Sequence, residues 1–269
     1  MKIISDKNNL IKYIHKEYNL GFIPTMGAIH AGHKSLIRKS INQCNKTVVT
    51  IFINKPQFDR KSDFKKYPRL IQKDILILKK LNVDYLYLPS HKQIYPNGHN
   101  KNIKIHEFKK KLCGKFRAGH FEAIVDVVDR FIKIINPKKI YFGEKDFQQL
   151  KIIENFVKIN HKRVKVVGCK TIREKNGIAC SSRNFLLSPE KKHTASRIYK
   201  LLVKEKSNII NKKIYLKKIK NIISKIGVDN IEYIEFLDIN KIIKPYRKTK
   251  KYKIFIAYYL NSIRLIDNI

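Results

Sequence analysis

Two histidines three residues apart, His30 and His33, stand beside Gly27 and Gly32 in the stretch PTMGAIHAGH, residues 24–33. Glycine lets backbone approach a ligand closely, and two neighbouring imidazoles can both donate N–H groups to the oxygens of one phosphate. That is chemistry for charge developing on phosphorus. Two further stretches offer groups of the same kind. In FGEKDFQQL, Gly143 gives backbone access, Lys145 can reach a phosphate and Asp146 can accept from ribose hydroxyls. In ACSSRN, Ser181 and Ser182 precede Arg183, two hydroxyls and a guanidinium suited to gripping phosphate. A P-loop is excluded, because GxxxxGK[ST] is absent.

These groups need a scaffold that presents them together. The apolar run LGFI precedes the histidines, and KSLIRKSINQC follows them with apolar residues at helical spacing, so the turn lies where a strand hands over to a helix. A helix beginning near Gly32 aims unpaired N–H groups and a positive dipole end at this spot. Short β-branched runs alternate with segments of helical period, the pattern of βα units and a parallel sheet. The strand candidates are LGFIPT, KTVVTIFI, VDYLYLP, KKIYFG and RVKVVGC. Between them, Leu36, Ile37 and Ile41 share one helical face, as do Ile71, Ile75 and Leu78, and a third helix, FEAIVDVVDRFIKIINP, is stopped by Pro137. After residue 171 the pattern changes to two helices, the second rich in Lys and Ile, and then the runs IEYIEFLDI, YKIFIAYYL and SIRLIDNI. The expected architecture is α/β, a doubly wound, Rossmann-like parallel sheet over residues 1–171, with a smaller α+β C-terminal domain over 172–269 acting as a lid on the same cleft.

A chain of 269 residues with 43% apolar content can bury a sizeable core. It has no run of 18 apolar residues, and its N-terminus mixes charges with Ile and Leu, so no membrane partner is expected and the location is read as cytoplasmic. Cys44, Cys113, Cys169 and Cys180 lie far apart with no CxxC pair, which gives neither a disulfide framework nor a metal site. The formal charge of +38 raises nucleic acid as a partner. Only 11 of the 59 basic residues are Arg, however, and they form no basic stripe interleaved with aromatics. A bias toward Lys and Asn codons accounts for the composition, with weak nonspecific polyanion binding as a by-product.

HxGH in this position resembles the nucleotidyltransferase superfamily related to class I aminoacyl-tRNA synthetases, and PTMGAIHAGHKSLI resembles the pantothenate synthetase (pantoate–β-alanine ligase) family. VVTIFINKPQF, DFKKYPR, YFGEKDFQQL, TIREKNGIACSSRN and the terminal RLIDNI are similar to that family's segments in the same order. A related enzyme that transfers a nucleotidyl group to another acceptor is the alternative, against which two glutamines that match the family, Gln57 and Gln149, and the SSRN segment argue.

The resemblance implies an ATP-dependent ligase. Pantoate and ATP give pantoyl adenylate and pyrophosphate, and the amine of β-alanine then displaces AMP to form pantothenate. It further implies that Pro24, Thr25, Met26, Asn54, Gln57 and Gln149 bind pantoate, with Gln57 also facing β-alanine. Met26, Gly27, Ala28, Ile29, His30, Ala31, Gly32 and His33 would line the nucleotide, as would Gly143, Glu144, Lys145 and Asp146. Ile172 and Cys180 would touch the adenine moiety. Stabilising the transition state and the pyrophosphate leaving group would fall to His30, His33, Lys145, Ser181, Ser182 and Arg183. The family's proton donor corresponds to His33, which a helix N-terminus would push toward neutrality, leaving it a hydrogen-bond donor. Mg2+ is expected on ATP's own oxygens, and a homodimer is implied by resemblance alone.

Some positions depart from the family pattern. Proline is displaced by one in Asn54-Lys55-Pro56-Gln57, Ala118 replaces proline in FRAGHF, and Ala123, Asp126, Lys170 and Cys180 are also unusual. Asp74 matches an acidic position near the phosphates, yet reads equally well as a solvated helix residue. Tyr67, Pro68 and Arg69 fit a family turn that also reads as an ordinary loop.

Overall fold

Six short strands form one all-parallel sheet in the order β1-β4-β3-β2-β5-β6: β1 (Lys2–Ile4), β2 (Leu20–Thr25), β3 (Lys46–Ile51), β4 (Tyr85–Tyr87), β5 (Lys139–Gly143) and β6 (Lys165–Cys169). The computed structural model describes residues 1–100, 102–211, 214–239 and 251–269. The five strands predicted from sequence are β2 to β6; β1 pairs with β4 at the sheet edge and is only three residues long, too short for a periodic signal.

Helices cover both faces of the sheet, so the strands are buried on two sides and read as continuous apolar runs. On one face lie α1 (Lys7–Ile14), α7 (His120–Ile135) and α8 (Phe147–Asn160); on the other lie α2 (Ala31–Gln43) and α4 (Ile71–Lys80). The short α3 (Lys61–Lys66), α5 (His91–Ile94) and α6 (Cys113–Phe116) occupy connecting segments. Along α7, Phe121, Ile124, Val128, Phe131 and Ile135 recur at helical spacing and are buried. Phe131 carries much of this face, its ring 5.7 Å from Phe22 and 5.9 Å from Phe52. The helix ends as the sequence predicts, with Asn136 in the left-handed region (φ 48°) before Pro137. The expected apolar face of α4 is only partly correct: Leu78 is buried and Ile75 half-buried, but Ile71 is 38% exposed. Asp74 is buried on the inward face because it serves the first turn rather than the core.

The pairing of β2 with β5 ends at Phe22 opposite Ile140, while β2 continues to Thr25 beside β3 and β5 continues to Gly143 beside β6. The carboxyl ends of β2 and β5 therefore part company. Their connections leave on opposite sides, toward β3 and toward β6. This is the topological switch point, where an open α/β sheet forms a binding crevice.

The rest of the chain forms α9 (Pro189–Ile210), α10 (Leu216–Gly227) and an antiparallel sheet of β7 (Asn230–Asp238), β8 (Tyr252–Leu260) and β9 (Ile263–Asn268). Strand alternation explains how this sheet is placed. Ile254, Ile256 and Tyr258 point to a core shared with Ile198, Leu202, Ile219 and Ile223 of α9 and α10. Phe255 and Ala257, on the opposite face, join the core of the first sheet, where Phe255 lies 5.6 Å from the ring of Phe147. Among the described residues no helix is long and apolar enough to cross a membrane.

Candidate active site

The first turn of the crevice is built by backbone in the left-handed region. Thr25 at the end of β2 donates its hydroxyl to Thr50 O (2.7 Å) and accepts from Gly27 N (3.1 Å). Gly27 (φ 81°) and Ala28 (φ 51°) then reverse the chain. This points the N–H groups of Ala28 and Ile29 inward, where Asp74 Oδ2 and Oδ1 accept them at 2.8 and 2.7 Å. Burial pushes the Asp74 carboxyl above its usual range, and these two bonds pull it back. Asp74 is thus a buried anchor of the turn and not the solvated helix residue that the sequence also allowed.

Helix α2 starts one residue before Gly32, and His30 is its N-cap. His30 Nδ1 accepts from Gly32 N (3.1 Å), while His33 Nδ1 accepts from His30 N (3.4 Å), so the two imidazoles form the reciprocal cap usually made by a hydroxyl and a carboxylate. A ring nitrogen that accepts leaves its proton on the other nitrogen, so each ring presents Nε2–H as its free donor. A Cβ on Gly32 would lie 2.9 Å from the His30 ring, so glycine is needed for that ring to sit here. The rings are 4.0 Å apart. Burial, then the neighbouring His33 and Lys145, lowers His30 to about 2; burial chiefly lowers His33 to about 4, with Asp146 opposing and Lys145 assisting. Both are neutral hydrogen-bond donors at physiological pH.

The second turn follows β5. Gly143 leads into a single 3-10 turn, Glu144–Asp146, and then α8. Lys145 Nζ lies 3.3 Å from Asp146 Oδ1, and its charge is felt by both histidines.

The third segment, residues 171–184, folds back over the first turn. Ser182 is buried, and its hydroxyl donates to Ala28 O at 3.2 Å. Ser181 Oγ accepts from Arg183 N (3.3 Å). Arg183 is engaged with Asp63, Nη2 to Oδ2 at 2.7 Å and Nε to Oδ1 at 3.3 Å, so its charge is balanced by α3.

The other end of the crevice holds amides. Asn54 is buried, donates to Gln57 Oε1 (3.1 Å) and Ala123 O (3.1 Å), and accepts from Tyr95 OH (2.8 Å). Gln57 Nε2 reaches Met26 Sδ at 3.1 Å. Pro56 falls inside a short 3-10 turn, Lys55–Gln57, so the displaced proline still yields an ordered loop. Two residues not assigned from sequence hold that loop. His120 Nδ1 donates to Gln57 O (2.7 Å), and Arg117 binds Gln57 O (3.2 Å), His120 Nε2 (2.8 Å) and Asp59 Oδ1 (2.7 Å). The available signal was an Arg and a His three apart at the start of α7, the spacing that singled out His30 and His33.

The crevice has a volume of 300 Å³ and brings together Pro24, Thr25, Met26, His30, Gly32, His33, Asn54, Gln57, Gly143, Lys145, Asp146 and Gln149 with Ile172, Cys180, Ser181, Ser182 and Arg183. Five predicted residues do not line it. Gly27, Ala28 and Ile29 are buried behind the turn, where they form its backbone, while Ala31 is exposed on the first turn of α2 and Glu144 faces elsewhere. Gln148, next to Gln149, is a structural brace, accepting from Cys113 N (3.0 Å) and donating to Phe108 O and Lys111 O. Among the described residues no three His, Cys, Asp or Glu side chains gather at metal-holding distance.

The chain matches the sequence model of the pantoate-beta-alanine ligase family over residues 2–269. A pantothenate synthetase from Sulfurihydrogenibium sp. is 42% identical over 256 residues, covering 93% of this chain and 91% of that protein. A crystal structure of pantothenate synthetase from Thermus thermophilus superposes with a TM-score of 0.91 at 28% identity, covering 100% of this chain and 99% of that one. A pantoate-beta-alanine ligase from Francisella tularensis, complexed with beta-gamma ATP and beta-alanine, gives 0.86 at 34% identity over 100% and 97%.

Proposed function

The chain belongs to the pantoate–β-alanine ligase family, and from that premise we propose how its crevice divides the work of the reaction. The enzyme is a ligase that condenses pantoate with β-alanine at the expense of ATP, forming pantothenate, AMP and pyrophosphate through pantoyl adenylate.

In the first half-reaction a pantoate carboxylate oxygen attacks the α-phosphorus of ATP, and the bond to the bridging oxygen of pyrophosphate breaks. Charge grows on the phosphoryl oxygens and on the leaving group. The neutral imidazoles of His30 and His33 answer the first with fixed Nε2–H donors, and Lys145 answers the second with a full charge. Ser181 and Arg183 complete the phosphate side once Arg183 exchanges Asp63 for phosphate. Ser182 acts through the first turn, by holding Ala28 O.

Gln57 and Gln149 present neutral amides to the hydroxyls and carboxylate of pantoate, with Asn54 orienting Gln57. In the second half-reaction the β-alanine amine, placed by Gln57, attacks the acyl carbon. AMP departs with the electron pair of the broken acyl C–O bond on its phosphate oxygen, and the proton lost by the amine passes to that phosphate or to solvent.

Residues 172–269 form the lid over the nucleotide, Ile172 and Cys180 flank adenine, and Mg2+ arrives on the ATP phosphates, whose hard oxygens suit it. The enzyme works as a homodimer in the cytoplasm.

The observation that carries this reading is the convergence of two imidazole N–H donors, one ammonium and two cleft-facing glutamines at the parted ends of β2 and β5. Mass detection of pantothenate from ATP, pantoate and β-alanine tests it, together with ATP–pyrophosphate exchange. Pantoate-dependent exchange without β-alanine is expected. Its absence refutes the assignment of the first half-reaction to this crevice.

A further inference from the structure

The last strand ends in a clamp on the Lys145 turn. Asn268 is buried, and its Nδ2 donates to Glu144 O and to Lys145 O, both at 2.8 Å. Two carbonyl acceptors facing one end of an amide can be met only by its NH2 group, so the orientation of this side chain is fixed by its partners. Among the described residues its Oδ1 has no partner, so the donor half is what the position supplies.

The neighbouring Asp267 takes the guanidinium of Arg173 in a fork, at 2.7 and 3.0 Å, and Arg173 Nη2 also reaches Asn268 O at 3.2 Å. Arg173 in turn lies 4.1 Å from the ring of Tyr199 on α9. It stands near the start of the segment that carries Ser181 to Arg183. Adjacent side chains at the end of β9 therefore tie the Lys145 turn and the phosphate-gripping segment to one frame. Strand β9 does not need these bonds to stay in place, since its backbone is paired with β8 from Ile263 to Asn268.

We propose that Asn268 is a positioning residue for adenylation: it fixes the backbone at residues 144 and 145 so that the Lys145 ammonium meets the departing phosphates. The Asp267–Arg173 fork holds the gripping segment in the same frame. This rests on the reading of Lys145 as the phosphate-facing cation, and the two can be tested apart.

ATP–pyrophosphate exchange with pantoate is measured for Lys145→Ala, Asn268→Ala, Asn268→Asp and the Lys145→Ala/Asn268→Ala double variant. Loss of the ammonium should lower kcat on the order of 10²-fold or more, the scale for removing a group that stabilises developing charge. Asn268→Ala should lower kcat about 10-fold or more, as slight misplacement of a charged group does. Its KM for pantoate should stay within about twofold, because removing a transition-state interaction leaves ground-state binding alone. In the double variant the two losses should fall well short of multiplying, because no ammonium remains to be positioned. Asn268→Asp sets a carboxylate against two carbonyls and should recover part of its kcat as the pH falls and the acid regains an O–H donor.

Losses that multiply in the double variant, or an Asn268→Ala effect seen only as a raised KM or a lowered melting temperature, overturn the positioning role. Full exchange in Lys145→Ala overturns the reading beneath it as well.

Discussion

Replacing Asp74 by asparagine keeps the side-chain volume and removes one of two acceptors aimed at the first turn. In the protein Asp74 Oδ2 and Oδ1 take the N–H groups of Ala28 and Ile29 at 2.8 and 2.7 Å in a buried site. An asparagine must turn its NH2 toward one of those N–H groups. The change loses one charge-assisted bond, worth ~1.5–3 kcal/mol, leaves a buried N–H unpaired at a cost of ~1–3 kcal/mol, and weakens the remaining bond. The combined effect is about 3–5 kcal/mol if the turn holds, which for a chain of this size lowers the melting temperature by roughly 6–15 °C. The turn has a second way out. Ala28 sits at φ 51°, a conformation L-residues adopt at a cost of ~1–2 kcal/mol, and without its anchor it can return to ordinary backbone. That relaxation would swing His30 and the start of α2, and a displacement of about 1 Å at the reacting centre costs on the order of 10²-fold in rate. Asp74→Asn should therefore lose both melting temperature and kcat/KM for ATP–pyrophosphate exchange. If both stay within error of the unaltered enzyme, the carboxylate does not hold the turn. If exchange collapses while melting is unchanged, Asp74 acts on the nucleotide and the anchoring argument is wrong.

The two imidazoles set a pH signature. His33, lowered to about 4, and His30, lowered to about 2, bind fewer protons than the unfolded chain below about pH 6.5, so stability should fall as pH drops from about 6.5, with both groups contributing down to about 4 and His30 alone down to about 2. The pH profile of kcat/KM for exchange should show no limb near 6.5 from these groups; a limb there that shifts in His33→Asn would show that an imidazolium takes part. At the other end of the crevice, His120→Ala frees Gln57 O from its 2.7 Å bond. The KM values for pantoate and β-alanine should rise about 10-fold, matching the loss of ~1–1.5 kcal/mol of positioning, with a smaller change in the kcat of exchange at saturating pantoate. Unchanged KM values in steady-state assays would remove His120 from substrate placement.

Much of the fold was legible because the parallel strands are buried on both faces and stand out as β-branched runs between amphipathic helices. β1 escaped because three edge residues carry no period, and Ile71 was misplaced because the inward face of α4 is spent on a carboxylate instead of a hydrophobic stripe. The chemistry-bearing side chains of the site were legible for a related reason. Histidines beside glycines, or a lysine after a Gly-Glu turn, stand out in a local window. Their supports do not. Asp74 lies 46 residues from Ala28, Ser182 lies 154 from the same residue, and Asn268 lies 123 from Lys145. In sequence each of these is an ordinary polar residue.

That separation has a mechanistic consequence. Each side chain proposed to act on the substrates projects from a short turn, and a turn of three or four residues has too few internal bonds to hold a side chain to the accuracy that catalysis requires. The first turn is fixed by α4 and by the segment folding over it, the second by the end of β9, and the Gln57 loop by the start of α7. Two of these supports, Ser182 and Asn268, come from beyond residue 171, so the phosphate side of the crevice is complete only when the C-terminal sheet is docked. Phe255 and Ala257 dock it through the core of the first sheet, where Phe255 packs on Phe147 at the floor of the same crevice. A substitution that shrinks that apolar contact, such as Phe255→Ala, should therefore loosen Lys145 and the histidines together, and lower the kcat of ATP–pyrophosphate exchange as well as the melting temperature.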